Sequence, residues 1–281
     1  MNELKSYKCV NCGEAASALY KTYGPSVLKL TKCDECKGVV DKYIEYDPVI
    51  VMIDLVLMSR EAQRHVLYNT EFKAYWKLFI ILAMLETYGV WRSDSLFNII
   101  IYNMCGIQNN STINTTYFDT PINITVPKCW QGSCSMWAKY ENVDDNDLFI
   151  WEKDFYVQFT SIFIGILVFI TTVQGMMFLS RSFSSQNEVS ITRVLKAFSL
   201  AYVSVSFNLP MLVWGNAETS PETRVIHYLL VFAYSFVVFT HVFTVLYECP
   251  VLVTVLILLT SHLMKFTTSF HLTPYLKGLI T

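Results

Sequence analysis

The sequence predicts an all-α membrane protein with either four or five transmembrane helices, preceded by a small N-terminal domain built around four cysteines. Three observations support this fold class. The chain of 281 residues is 53% hydrophobic and only 16% charged, whereas soluble domains carry roughly 25% charged residues. Its apolar residues are gathered into long blocks, and its mean hydropathy is +0.37, as expected for several membrane spans. The third observation is a pair of C-x2-C sequences in the polar front end.

Residues 1–46 form the first predicted domain, which contains Cys9, Cys12, Cys33 and Cys36. Twenty residues separate the two C-x2-C pairs, which is the spacing of a zinc ribbon. A tetrahedral zinc ion takes four thiolates at about 2.3 Å, and two intervening residues let one tight turn aim both thiols of a pair at a single ion. Four thiolates leave no open coordination position, so the zinc is expected to be structural. Two disulfides or unrelated free thiols are the alternatives.

The residues around the cysteines predict the local backbone of this domain. Gly13 and Gly38 follow the two pairs, where a knuckle turn favours positive φ. The stretch ALYKTYGPSVLKLTK between the pairs predicts a hairpin that turns at Gly24–Pro25. A domain this small is expected to fold only around its ion.

Residues 47–72 are predicted to form a bridging helix at the membrane interface. Asp47 followed by Pro48 is typical of a helix start, and the apolar run 49–58 is too short to cross about 30 Å of hydrocarbon. Basic side chains after the run suit anionic lipid headgroups. The alternative is a helix that packs against the ribbon as ordinary core. The residues expected at the interface are Asp47, Pro48, Asp54, Arg60, Arg64 and His65.

Residues 73–281 are predicted to form the polytopic transmembrane domain. Apolar segments occur at about 74–91, 156–180, 194–215 and 225–247, with a further run at 250–264. The first four are long enough to span a bilayer at about 1.5 Å per residue. The last run follows Pro250 almost without a loop, so it is a fifth span, a re-entrant segment or a helix bent at the surface.

Two signals predict that the N-terminus faces the cytosol and that the loop 92–150 faces the lumen. More basic residues precede the first span than follow it, and cytoplasmic segments carry the excess of Lys and Arg. The loop also holds sequons, which are glycosylated only in the lumen; they lie at Asn109, Asn110, Asn114 and Asn123. In the same loop, Cys129 and Cys134 either form a disulfide or remain two free thiols. The front end lacks the apolar core of a signal peptide, so targeting is expected from an internal span.

No catalytic motif is recognisable, so the chain is not expected to be an enzyme. The sequence lacks G-x-S-x-G, H-E-x-x-H and glycine-rich phosphate-binding patterns. A net charge of −2 without a basic stripe also argues against a nucleic-acid partner. Ionisable residues inside apolar spans are site hypotheses by default, which singles out Glu86 and His241. The alternative for Glu86 is a side chain that snorkels to the interface beside Trp91 and Arg92.

Four stretches of the front end resemble the homology domain of the Arv family, whose name stands for acyl-CoA:cholesterol-acyltransferase-related and required for viability. They are C-x2-C-G, LKLTKCDEC, VVDKYIEYDPVIVMIDLVL and RHVLYNT, and they cover about residues 7–70. Beyond them, only the hydropathy layout and WEKDFYVQF are similar. The resemblance implies residence in the endoplasmic reticulum and a part in sterol and sphingolipid homeostasis and in early glycosylphosphatidylinositol-anchor synthesis.

The resemblance leaves two functions open. In the first, the protein mediates lipid homeostasis and intracellular lipid transport: its spans contact or move sterol, sphingolipid or a glycolipid precursor, and its ribbon and interfacial helix dock a donor membrane or a partner. In the second, it is a non-transporting scaffold subunit that stabilises a membrane enzyme complex that glycosylates lipids. An enzymatic function is the weakest interpretation, since paired catalytic groups are absent from the sequence.

Overall fold

A computed structural model describes residues 7–24, 27–107, 128–141, 148–181, 189–215 and 220–280. The chain divides into two compact units. The ribbon unit comprises Met1–Trp76, Gln186–Ala201 and Val238–Thr254, and the bundle unit comprises Lys77–Ser185, Tyr202–Val237 and Val255–Thr281. The ribbon unit therefore contains not only the polar front end of the chain but also two later segments.

Four short strands form the front of the ribbon unit: β1 (Tyr7–Lys8), β2 (Ala15–Ala16), β3 (Tyr20–Gly24) and β4 (Val27–Leu30). Strand β1 pairs antiparallel with β2, and β3 pairs antiparallel with β4. The second pair confirms the predicted hairpin, whose turn at residues 25–26 lies outside the described residues. A small core of buried side chains holds the strands together, and its members are Cys9, Leu19, Cys33 and Val40.

Two short helices and a π-helical turn follow the strands: α1 (Pro48–Val56), α2 (Arg60–Arg64) and the turn His65–Asn69. The predicted helix start is confirmed, because the Asp47 carboxylate accepts a hydrogen bond from the backbone N–H of Val49 at 2.8 Å. Proline is tolerated at the first helical position, since an N–H there would have no partner within the helix.

The rest of the described chain is helical. The helices are α3 (Tyr75–Trp91), α4 (Leu96–Cys105), α5 (Lys128–Glu141), α6 (Leu148–Arg181), α7 (Ile191–Tyr202), α8 (Leu209–Trp214), α9 (Pro221–Tyr247) and α10 (Val251–Ile280), with a 3-10 segment at Val203–Asn208. Within the described ranges, four stretches are long and apolar enough to cross a membrane: Trp151–Ser180, Ile191–Trp214, Glu222–Tyr247 and Val251–Leu279. The prediction of a helical protein with four candidate membrane helices is therefore confirmed.

The set of candidate membrane helices differs from the predicted set. The last apolar run, which the sequence left open between three forms, belongs to α10, a helix of 30 residues. The first predicted span corresponds to α3, which has only 17 residues and measures about 25 Å. Helix α3 lies antiparallel to α6, because Phe79 meets Phe163 at 6.0 Å and Trp91 meets Trp151 at 4.2 Å between ring centroids. It is a short helix beside α6 rather than one of the four long ones.

Cys134 forms a disulfide with Cys105, and the predicted pairing with Cys129 is wrong. Cys105 ends α4, Cys134 lies in α5, and their Cα atoms are 5.2 Å apart. Cys129 and Cys134 are five positions apart in the same helix, which separates their Cα atoms by at least about 7.5 Å, beyond the reach of a disulfide. Cys129 was the predicted partner of Cys134 because it is near in sequence. The packing of α4 against α5 instead brings Cys105 to Cys134.

Candidate metal centre

The four cysteine thiols of the ribbon converge on one point. Their sulfur atoms all lie within 4.8 Å of one another, with 3.7 Å between Cys9 and Cys36 and 3.6 Å between Cys12 and Cys33. Four thiolates at about 2.3 Å from a tetrahedral zinc ion are separated by about 3.8 Å. The donor set and its dimensions therefore fit one tetrahedrally bound metal ion. The alternative of two disulfides is contradicted, because all four cysteines are free thiols.

Each C-x2-C pair lies on a tight turn that a backbone hydrogen bond closes. In the first turn, the N–H of Gly13 donates to the carbonyl of Cys9 at 2.9 Å, and Gly13 has the predicted positive φ, +87°. In the second turn, the N–H of Lys37 donates to the carbonyl of Cys33 at 3.1 Å, and the positive φ of 58° belongs to Lys37. The predicted role of Gly38 is therefore corrected. A Cβ at Gly38 would come within 3.1 Å of the Asn11 amide, so a larger residue would require that side chain to shift slightly.

Without a cation, the four thiols would not all be thiolates at neutral pH. Burial raises the pKa of the Cys9 thiol to about 12, whereas a hydrogen bond from the backbone N–H of Cys36 lowers the pKa of Cys33 to about 7. Adjacent thiolates repel one another, so all four can coexist at neutral pH only around a positive charge. Because the four thiols would complete a tetrahedral shell, the site can hold an ion but offers no open position for a substrate.

Arg64 holds the turn of the first C-x2-C pair, the first knuckle, in place. Its Nη1 donates to the carbonyl oxygens of Val10 at 2.8 Å and Asn11 at 2.6 Å, the two residues between the first pair of cysteines. Its guanidinium also lies against Gly13, at 3.5 Å from the position of a Cβ. The charged group of Arg64 is thus directed to backbone carbonyls of the ribbon, and its place at the membrane interface stays a prediction.

A buried hydrogen-bond network joins the ribbon to the π-helical turn. Asp41 is fully buried, and its Oδ2 accepts hydrogen bonds from Nδ1 of His65 and Nδ2 of Asn69, both at 2.7 Å. Asn69 also pairs with both backbone groups of Lys8, at 2.9 Å each. His65 therefore supports the ribbon, and its place at the membrane interface stays a prediction. Sequence reasoning missed Asp41 and Asn69, and the one signal was an isolated acid within the apolar stretch VVDKY.

Replacing Arg64 with methionine is expected to weaken metal binding, because the two carbonyl groups of the first cysteine turn lose their guanidinium donor. Residues that hold metal ligands in place typically contribute about 10- to 100-fold in affinity. Competition with a chromophoric zinc chelator, on the purified full chain, measures the change. Arg60→Met is the matched control, since Arg60 lies on the same helix and is exposed. An equal loss in both variants would contradict the role assigned to Arg64.

The residue before the first metal ligand is tied to later helices of the ribbon unit. Lys8 pairs with Glu248, which follows the end of α9. The ring of Tyr68 lies 4.6 Å from the Lys8 ammonium and 5.1 Å from the Arg193 guanidinium, within the range of cation–π contacts. The Tyr68 hydroxyl donates to the carbonyl of Leu246 at 3.1 Å. The ribbon is therefore fixed to the ends of α7 and α9.

Helix α1 presents an uncovered apolar surface within the described part of the ribbon unit. None of its nine residues is buried. Six large apolar side chains along the helix and at its end are 43–70% exposed, and they are Val49, Ile50, Met52, Ile53, Val56 and Leu57. The opposite side faces the ribbon: Asp54 accepts a hydrogen bond from the Tyr43 hydroxyl at 2.7 Å, and Val51 and Leu55 pack against the buried core. Packing against the ribbon therefore covers only one side of α1 and leaves its other apolar side chains exposed.

In the bundle unit, Glu86 of α3 belongs to a polar cluster. The Lys265 ammonium of α10 donates to both of its carboxylate oxygens, at 2.7 and 2.9 Å, and the Tyr202 hydroxyl donates to Oε2. The two charged side chains are only 20% and 10% exposed. The snorkelling alternative for Glu86 is contradicted, because the carboxylate is paired with Lys265 instead of facing the interface. Sequence reasoning missed Lys265, although a cation inside another apolar run was the signal available.

Three other groups of predicted site residues have different outcomes. The sequons at Asn109, Asn110, Asn114 and Asn123 lie outside the described residues and stay predictions. His241 lies in the ribbon unit, and its buried Nδ1 makes no hydrogen bond to the described chain. Asp47 and Pro48 start α1, and Arg60 is exposed beside it.

The fold and the thiol cluster define a class of protein: a multi-pass membrane protein with an N-terminal cluster of four cysteines that could hold one metal ion. The model of the Arv1-like family matches residues 8–238, and the chain belongs to this family. Protein ARV1 of Bos taurus is 28% identical over 229 residues, which is 78% of this chain and 64% of that protein. Protein ARV1 of Homo sapiens is 28% identical over 223 residues, which is 76% of this chain and 64% of that protein.

Other relatives match over a shorter region. Protein arv1 of Schizosaccharomyces pombe is 36% identical over 90 residues, which is 30% of this chain and 34% of that protein. The chain thus spans less than two thirds of the length of the relatives it matches. No solved structure matches the chain.

Proposed function

We propose that the protein mediates sterol and sphingolipid homeostasis and lipid transport in the membrane of the endoplasmic reticulum, and that it supports glycosylphosphatidylinositol precursor synthesis. The observation that carries the proposal is the uncovered apolar surface of α1 on a metal ribbon, in a chain with four candidate membrane helices. Membrane lipids are its proposed ligands, and the protein is proposed to catalyse no reaction and to bind no nucleic acid. Family membership is what singles out these lipids.

The proposed metal ion is zinc, and its proposed role is structural. Zinc favours a tetrahedral shell of thiolates and has no redox chemistry of its own. A reducing cytosol would keep the four thiols available to the ion. The ion would fix the ribbon, and through Asp54 and Tyr43 the ribbon would fix the direction in which α1 presents its apolar side chains.

Helix α1 is proposed to lie in the surface of the bilayer. A helix of nine residues measures about 14 Å, so it cannot span the hydrocarbon, but it can bury its apolar face at the level of the lipid headgroups. Each large aliphatic side chain moved from water into this layer stabilises the contact by about 1.5–3 kcal/mol. The ribbon would thus contact the membrane surface from which a lipid is taken up.

We propose that the ribbon is cytosolic and that α3 crosses the bilayer as a short span beside α6. The charge bias around α3 supports this orientation. In the ribbon unit, Lys8 contacts Glu248, and Tyr68 contacts Arg193. The start of α7 and the connection between α9 and α10 would therefore lie on the same cytosolic side of the membrane as the ribbon. The loop 92–150 would then be luminal.

Endoglycosidase treatment is expected to increase the gel mobility of the full chain isolated from microsomes, because the luminal loop is glycosylated. Substitution of all four sequon asparagines by glutamine should remove the shift. A reporter fused before Met1 should be digested by protease added outside intact microsomes. Unchanged mobility together with a protected reporter would overturn the proposed orientation.

Lipid transfer between liposomes tests the proposed function. The full chain in donor vesicles is expected to accelerate the movement of a fluorescent sterol or sphingolipid to acceptor vesicles. Ile53→Glu should slow this movement roughly 10- to 100-fold, because a charge on α1 opposes its entry into the bilayer. Tyr23→Glu adds the same charge to β3, where the side chain is also exposed, and should leave transfer unchanged. Wild-type protein that moves no lipid would contradict the transport proposal.

A second candidate function is a non-transporting scaffold subunit for a membrane enzyme complex that glycosylates lipids. The observation that favours it is that the chain itself buries only 28–39% of each candidate membrane helix, which leaves a wide surface for other subunits. Stoichiometric co-purification with a glycosyltransferase complex, together with no lipid movement in the liposome assay, would favour this function over transport.

A further inference from the structure

We infer that the bundle unit contains a binding site for the hydroxyl groups of a neutral, sugar-bearing lipid headgroup. The site is a cavity of about 80 Å³ at the ends of α3, α6 and α10. Residues from these helices and from α4 and α5 line it, among them Trp91, Ser93, Trp151, Asp154, Gln158 and Lys277. This inference rests on the proposed function in one respect, namely that the ligand is a membrane lipid. It does not require the protein to transport that lipid.

The strongest sign of a ligand is the side chain of Gln158. It is 4% exposed and lines the cavity, yet the described part of the chain offers no hydrogen-bond donor to its Oε1. An amide oxygen buried without a partner costs about 1–3 kcal/mol, so such groups are rare unless another molecule supplies the donor. A ligand hydroxyl is a suitable donor for this oxygen.

The charges around the cavity select a neutral ligand. Asp154 and Lys277 form an ion pair at 2.7 Å, so the walls carry both signs and little net charge. A phosphate would need an excess of positive charge, whereas a hydroxyl group can accept from one wall and donate to another. The hydroxyl pair of Ser93 and Tyr102, 3.0 Å apart, adds a further group that both donates and accepts.

The size of the cavity limits what enters it. A volume of about 80 Å³ has room for several water-sized groups but is far smaller than a lipid molecule. It therefore admits the hydroxyl groups on one edge of a sugar ring, and not a whole lipid. Trp91 and Trp151, whose rings pack against each other at 4.2 Å between centroids, form one wall of the cavity.

The position of the cavity indicates that the hydroxyl groups belong to a lipid. Trp151 begins one candidate membrane helix, and Lys277 lies near the end of another. Tryptophan rings are typical of the level where headgroups meet hydrocarbon. Trp151 is 43% exposed, so the wall it forms is open to the surroundings. A headgroup at this level could place its hydroxyl edge in the cavity while its acyl chains stay in the bilayer.

The experiment measures binding of monoglucosyl diacylglycerol to the full chain in phosphatidylcholine nanodiscs, by native mass spectrometry and tryptophan fluorescence. Gln158→Leu is expected to weaken binding about tenfold, since it removes the acceptor and keeps the shape. It should not lower thermal stability, because it also removes a buried polar group without a partner. Gln174→Leu is the matched control on the same helix, outside the cavity, and should bind like the wild type.

Binding of three different lipids to the wild-type chain provides a test that does not depend on any variant. The glucosyl lipid should bind more tightly than diacylglycerol, which lacks the sugar, and than anionic phosphatidylglycerol. Equal binding of all three lipids, or equal weakening by the two glutamine variants, would overturn the inference. Soluble methyl glucoside that binds as tightly as the lipid would overturn the assignment to a lipid headgroup. Since binding is measured at equilibrium, a chain that binds the lipid but fails the transfer assay refutes only the transport proposal.

Discussion

Serine in place of Cys9 is expected to abolish metal binding and to unfold the ribbon. The thiol of Cys9 is buried, and it is one of four donors that meet within 4.8 Å. A structural zinc ion contributes on the order of 10–16 kcal/mol to the folding of small domains, which have too little core to fold without it. Elemental analysis of the purified full chain should show a fall from about one zinc ion per chain to nearly none. Limited proteolysis should then cut within the first 70 residues.

The matched control for this variant is Cys249→Ser. Cys249 is also a buried free thiol, but its sulfur lies 3.0 Å from the Thr254 hydroxyl and outside the cluster. The control should keep its zinc and its resistance to protease. A Cys9→Ser chain that keeps both would show that the four thiols do not form a metal site.

Methionine in place of Lys265 is expected to destabilise the bundle unit by about 3–5 kcal/mol. The substitution leaves the Glu86 carboxylate in an apolar environment with only the Tyr202 hydroxyl of its two partners. A buried charge that has lost its counter-charge is costly, even where the intact pair contributes little. Equilibrium unfolding of the full chain in mixed micelles measures the loss.

Two further variants distinguish a lost ion pair from a general defect. Adding Glu86→Gln to Lys265→Met removes the uncompensated charge and should restore most of the stability. Lys73→Met breaks a pair with Glu71, but Lys73 is 84% exposed, so the change should stay within about 0.5 kcal/mol. A double variant that is no more stable than Lys265→Met would contradict the electrostatic explanation.

Features that depend on neighbours along the chain could be predicted from the sequence. The two C-x2-C pairs fix their own turns, and Asp47–Pro48 fixes the start of α1, so each was recognisable within a few residues. The long apolar runs likewise predicted the helices, because the hydrophobic effect acts on the composition of a segment. Whether α3 is long enough to span the bilayer was harder to predict, because a difference of one helical turn decides it.

Features that depend on contacts between distant residues could not be predicted in this way. Arg64 and His65 follow an apolar run, which suggested a membrane surface, yet their partners lie 53 and 24 positions earlier in the ribbon. Glu86 and Lys265 are 179 positions apart, and no local pattern joins them. The partner of Cys134 is set by helix packing, whereas the sequence offered only the nearest cysteine.

The amide of Asn69 has a consequence for the order of events during synthesis. It pairs with both backbone groups of Lys8, 61 positions earlier, so the ribbon is complete only after residue 69 has left the ribosome. Helix α3 begins six residues later, at Tyr75. The nascent chain is therefore expected to load its ion immediately before its first hydrophobic helix meets the translocon. Chains stalled with residue 69 outside the ribosome should retain zinc against a chelator, and chains stalled before that point should lose it.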